Sequence, residues 1–173
     1  GAYPHPSLSV VQADFLDGME FDGLYFLSRG FYNIYDGTPA GYLTAIAVHE
    51  TAHQWWYGLV GNNQATEPWL DEALCTYAER LYYERYYPEL VSWWWAYRVD
   101  FYEPEGAVNA TIYDFPGFRA YRDAVYLNGA RVASHSDEQV PLTVEVSQTL
   151  RQENSLVLRF RSNAGRSEEG TPE

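Results

Sequence analysis

The sequence contains no lysine. All 11 basic residues are arginine, set against 24 Asp and Glu, for a formal net charge of -13 over 173 residues. No basic stripe exists to meet a phosphate backbone, which argues against nucleic acid as a partner. There is one cysteine, Cys75, so an internal disulfide and a cysteine-rich zinc site are both excluded. Within EALCTYAE that thiol reads as a small buried residue on a helix face. No apolar run reaches the ~18 residues of a membrane span. The start, GAYPHPSLSVVQ, lacks a charged region followed by an apolar one. It is therefore not a signal peptide; it reads like the middle of a larger chain, and nothing in it assigns a compartment. What the chain does have is apolar residues (46%) and aromatics (17%), enough for a packed core.

Segments 8–13 and 19–28 have the composition of strands, with breaks near Asp17-Gly18 and Asp22-Gly23. The pattern from Tyr42 to about Leu59 is helical, with Gly58 and Gly61 at and beyond its end. After the loop GNNQATEPW, Thr66 is a candidate cap and Pro68 suits the first turn of a second helix, which stops before Pro88. Helices over 88–101 and 118–131 follow, separated by a loop bearing Pro and Gly. After the polar SHSDEQ, PLTVEVSQ and SLVLRFRS alternate with period two, like the strands of a hairpin. This predicts an α+β chain with a small N-terminal sheet, a helical bundle over the rest of 1–132, and a β-rich tail over 133–173.

The stretch VHETAHQWWYG places His49 and His53 four residues apart, with Glu50 beside the first. On a helix, residues i and i+4 are about 40° apart around the axis, so both imidazoles share a face and can reach one metal ion. Glu50 is offset by about 100°, beside such an ion, where it could take a proton from a bound water. A catalytic zinc needs a third protein ligand and one open position. Glu72, in WLDEALCTYAE, follows His53 with 18 residues between and opens the second helix. Glu79 lies seven residues further on, two turns along the same face. It could orient a ligand histidine by accepting its other N–H. Its plainer reading is a solvated helix charge.

HETAHQWWYGLVG followed by WLDEALCTYAE resembles the gluzincin aminopeptidases of the aminopeptidase N (membrane alanyl aminopeptidase) family. The resemblance implies a thermolysin-like zincin catalytic domain with one zinc ion per chain, held by His49, His53 and Glu72, and Glu50 as general base. Family members also carry a G-x-M-E-N element upstream. Here Asp17-Gly18-Met19-Glu20-Phe21 keeps the Met-Glu pair, with Gly directly before Met and Phe21 in place of Asn. By that likeness Glu20 binds the substrate's α-ammonium, with Met19 and Gly18 beside it. The segment Ala124-Val125-Tyr126-Leu127-Asn128-Gly129-Ala130 resembles the family's oxyanion-stabilising tyrosine segment and implies that role for Tyr126. Trp55 and Trp56 are candidates for the cleft wall. The expected activity is removal of N-terminal residues from peptides with a free amine. Two alternatives stay open: a zinc endopeptidase in which Glu20 is only structural, and a zinc-binding fragment without turnover.

Overall fold

The structure, a computed structural model, describes residues 2–133. Three short strands come first: β1 (Ser9–Ala13), β2 (Gly18–Phe21) and β3 (Leu24–Ser28). Their order is β1-β3-β2, with β3 parallel to β1 and antiparallel to β2. Asp22-Gly23 makes the tight connection between β2 and β3. Gly23 sits there at φ +72°, a left-handed conformation that costs little without a Cβ. β2 is an edge strand, and it is the strand that borders the cleft.

The sheet is fixed to the helices by alternation on β3. Tyr25 and Leu27 turn inward and meet Ile46, with Leu8, Phe31, Tyr42 and Leu43 around them. Ile46 lies on α2 (Tyr42–Ala52), which follows the short α1 (Arg29–Asn33). The N-terminus of α1 is capped by Ser28, whose hydroxyl accepts from the Gly30 N–H at 3.1 Å. Pattern alone gave no sign of that single turn.

The helix expected over 42–59 ends at Ala52, with His53 still in helical conformation at its C-cap. Beyond it the chain folds back. Gly58 N–H donates to His53 O, and Tyr57, at φ +92°, and Val60 N–H close the turn through bonds to Val60 O and Trp55 O. These turns satisfy the carbonyls that a longer helix would have used. Thr66 does not act as a helix cap; its own N–H donates to Asn63 O within the loop. Pro68 opens a 3-10 turn (Pro68–Leu70), and the second long helix, α3 (Glu72–Tyr86), starts only after it. α3 does stop before Pro88, as expected.

The helix expected over 88–101 is a composite. A 3-10 turn (Pro88–Leu90) leads into α4 (Val91–Trp93), a π-helical turn (Trp94–Val99) and a final 3-10 turn (Asp100–Tyr102). The expected helix over 118–131 is likewise composite: α5 (Phe118–Tyr121), a π-helical turn (Arg122–Leu127) and α6 (Asn128–Ala133). The main core joins these layers through Ala45, Tyr83, Trp94, Val99, Leu127 and Ala130, all fully buried. Cys75 is buried on α3. The molecule is thus mixed α+β, with one small sheet and a set of helices. No helix among the described residues is long and apolar enough to cross a membrane. The two strands expected in the tail lie outside the described residues.

Candidate metal centre and cleft

α2 and α3 pack against each other, and β2 lies along α2. Between them is a cavity of about 360 Å³, bordered by Gly18, Met19 and Glu20 from β2, by His49, Glu50 and His53, and by Glu72 and Tyr126. Gln54, one residue past the second histidine, sets the spacing of strand and helix. Its amide nitrogen donates to Phe21 O at 2.9 Å, and its oxygen accepts from Gly23 N–H at 2.8 Å. This buried clamp ties the β2–β3 turn to the end of α2.

His49 Nε2 lies 3.1 Å and His53 Nε2 3.4 Å from the same oxygen, Glu72 Oε2. The ligand-capable atoms of the three residues all fall within 4.8 Å of one another. Each imidazole has its other nitrogen occupied: His49 Nδ1 is 3.0 Å from Glu79 Oε1, and His53 Nδ1 is 3.3 Å from Trp56 O. Both Nε2 atoms are thus left facing the one Glu72 oxygen. A divalent ion that favours two imidazoles and a carboxylate fits this donor set.

Glu79 is fully buried and bears four contacts. Besides His49, it accepts from Arg98 Nε and Nη2, each at 2.9 Å, and from Trp94 Nε1 at 3.0 Å. Trp94 and Arg98 sit at either part of one π-helical turn, which aims both at the same carboxylate. Thr76 Oγ1 adds a bond to Glu72 O at 2.9 Å and approaches His49 Nδ1 at 3.4 Å.

The electrostatics follow from this crowding. Burial would raise the Glu72 carboxyl, but His53 and His49 outweigh it and hold it at about 2. Burial would lower His49; its bonds to Glu72 and Glu79 and the nearby Glu50 charge raise it well above the ordinary imidazole value. His53 is also raised, its burial outweighed by the Glu72 charge and hydrogen bond. Glu50 has no such bond. Burial pushes it up to about 8 against the pull of His49 and His53, and its Oε2 is buried without a hydrogen-bond partner. A cleft that keeps a bare carboxylate oxygen beside a three-donor cluster is suited to taking up a proton.

Gly18 packs directly on that carboxylate. A Cβ there would collide with Glu50 Oε1 and come within 2.6 Å of its Cδ. Glu20 turns into the cleft from the edge strand, 9% exposed, and its Oε1 accepts from Gln64 Nε2 at 2.7 Å. Met19 remains exposed at the cleft border. Tyr126 donates to Glu72 Oε1 at 2.7 Å and stacks on the His49 ring at 5.5 Å between centroids. Burial and the Glu72 charge push its phenol well above the usual range, so it stays protonated. His49, Glu50, His53, Glu72, Glu20, Met19, Gly18 and Tyr126 therefore all border one cavity, and Glu79 stands behind it on His49 Nδ1.

Trp55 and Trp56 do not border it. The early end of α2 carries them away, and the Trp55 ring meets Tyr3 instead. Ile112, Phe118 and Tyr121 form the apolar wall that those tryptophans were expected to supply. Sequence reading also missed Gln54, Asn62, Gln64, Asp71, Trp94 and Arg98. The signals were thin: an amide directly after the histidine motif, two more in a loop, and an acid beside Glu72. Asp71 is fully buried and its carboxyl raised, by burial first and then by the Glu72 charge, against bonds from Gln64 and Asn62.

The sequence pattern of the Peptidase family M1 domain matches residues 2–114 of the chain. Aminopeptidase M1-D of Oryza sativa subsp. japonica is 37% identical over 98 residues, covering 53% of this chain and 11% of that protein. The chain thus spans about a tenth of the length of that curated relative. No solved structure matches.

Proposed function

The chain belongs to peptidase family M1, and from that premise we propose that it carries the zinc centre of a metallo-aminopeptidase that removes N-terminal residues from peptides. The name of the rice relative points the same way. We read residues 1–132 as the catalytic part of a thermolysin-like zincin domain and 133–173 as a separate tail. The observation that carries the reading is the convergence of His49, His53 and Glu72, with the unpartnered Glu50 oxygen beside them.

His49, His53 and Glu72 would hold the ion. Zinc bound there would polarise the scissile carbonyl and acidify the attacking water. Glu50 accepts the proton of that water and returns it to the leaving nitrogen. Its burial gives it the elevated proton affinity that both transfers require. Tyr126 keeps its hydrogen under ordinary conditions and turns it from Glu72 to the developing oxyanion. Glu20 meets the α-ammonium in a partly dry cleft, where a fixed carboxylate is worth most. That contact sets the cut one residue from the amino terminus.

The test is hydrolysis of free-amine peptides against the same peptides N-acetylated, with metal analysis, on wild type and Glu50→Gln. Expected are one zinc in each protein, a strong preference for the free amine, and loss of turnover in the variant. Equal cleavage of blocked peptides would make the protein an endopeptidase. A zinc-loaded wild type no faster than Glu50→Gln would make it a binding fragment.

A further inference from the structure

Gln64 has no part in the chemistry above, yet its amide holds two buried carboxylates, Glu20 of the cleft and Asp71 beside it in the fold. Nε2 lies 2.7 Å from Glu20 Oε1 and 2.8 Å from Asp71 Oδ2. A side-chain amide has two N–H groups, and both neighbours are acceptors, so one hydrogen goes to each. This also fixes which way the amide faces. Asp71 takes a second donor, Asn62 Nδ2, at 2.9 Å from Oδ1, and the same nitrogen contacts Glu67 O at 3.0 Å. Glu20 stands on the edge strand, whereas Asp71 stands just before α3. Gln64, which lines the cavity, therefore joins the edge strand to the start of α3.

We propose that Gln64 is a positioning residue for amine recognition, bridging Glu20 and Asp71 so that the Glu20 carboxylate is held ready for an α-ammonium. This rests on the reading of Glu20 given under Proposed function. Ligand-capable oxygens of Glu20 and Asp71 come within 4.8 Å of each other. Two carboxylates at that distance repel, and a glutamate side chain can relieve this by changing rotamer. The bridging amide removes that escape. Since one Glu20 oxygen is tied to Gln64, an incoming ammonium meets an acceptor already oriented, and the cost of ordering it falls outside the binding step.

The experiment is calorimetric titration of the zinc-loaded chain with leucinol, a primary amine with no bond to cleave, and with N-acetylleucinol. Wild type, Gln64→Met and Gln64→Ala are compared, with melting curves and zinc content on each. Wild type is expected to bind leucinol the more tightly. Both variants, folded and with one zinc, are expected to weaken leucinol by about tenfold or more, as for a carboxylate that loses its partner, and to leave the acetylated compound unchanged. KM for a free-amine peptide should rise by the same factor while kcat moves less. Leucinol binding as tight as wild type in a folded variant overturns the proposal and leaves the aminopeptidase reading standing. A wild type that does not distinguish the two compounds overturns the amine role of Glu20, and this proposal with it. Loss of fold in both variants also overturns it, because Gln64 would then be a structural residue.

Discussion

A Cβ on Gly18 would collide with the Glu50 carboxylate, whose carbon it would approach to 2.6 Å. The atoms in the way, Oε1, Cδ and Cγ, all belong to the one Glu50 side chain and none to backbone, so Gly18→Ala should fold. Glu50 must swing aside, however, and a displacement of about 1 Å at a reacting group costs on the order of 100-fold in rate. Steady-state kinetics beside a melting curve check this: kcat should fall by that order with the melting temperature nearly unchanged. Arg98 is the converse case. Its Nε and Nη2 each reach Glu79 at 2.9 Å in a fully buried pair. Arg98→Met leaves Glu79 a buried anion short of its main partner, and should cost about 3–5 kcal/mol in a denaturant titration. The pH dependence has a definite sign. Burial would raise the Glu79 carboxyl, but Arg98 and His49 hold it below its ordinary value. Its contribution is therefore present above the unfolded carboxylate pKa, about 4.3, and is lost as pH falls through the lower folded value. The variant should show a shallower acid loss of stability. Neither residue was equally legible: Gly18 stood in a recognisable element, whereas Arg98 lay in an aromatic helix with nothing to mark it.

Elements show a similar division. The β2–β3 hairpin was readable because Asp22-Gly23 interrupts an apolar run, and Gly23 does adopt a positive φ. The end of α2 was not, because the turn over 53–60 is closed by backbone bonds that no side-chain pattern announces. The two π-helical turns, WWAYRV and RDAVYL, were also hidden, since nothing in their sequences separates them from an α-helical turn. They matter nonetheless: one brings Trp94 and Arg98 to Glu79, and the other brings Tyr126 to Glu72. The crossing of α6 over α3 is a further case. A Cβ on Gly129 would run into the Ala73 Cβ and lie 3.4 Å from its Cα, with Val108 equally near. Neither helix backbone can give way easily, so Gly129→Ala should destabilise the fold by about 1–3 kcal/mol despite the better helix propensity of alanine. Chemical denaturation reads it directly; a stabilised variant would mean that the crossing is looser than described.

For the whole molecule, the α+β arrangement serves to bring a strand edge and two helices to one cavity, with His49, His53, Glu72, Glu50, Glu20 and Tyr126 all turned into it. The histidine motif was legible from a helical spacing, and Glu72 from its place at the next helix. The hydrogen-bonded surround of Gln54, Gln64, Asp71 and Arg98 was not, because single amides and charges outside a repeating pattern carry no period. On the proposed reading, metal binding and protonation are linked. His49 and His53 are both raised above the ordinary imidazole value. An imidazole must be neutral to ligate zinc, so uptake should release protons and the apparent affinity should fall as pH drops through those raised values. The most direct test is therefore calorimetric zinc titration of the metal-free chain, in buffers of different ionisation enthalpy, for wild type, Glu72→Gln and Glu50→Gln. One zinc per chain with proton release is expected for wild type and Glu50→Gln, and affinity weakened by about 100-fold or more for Glu72→Gln, as for loss of one zinc ligand. Zinc bound equally well by Glu72→Gln would contradict the centre described.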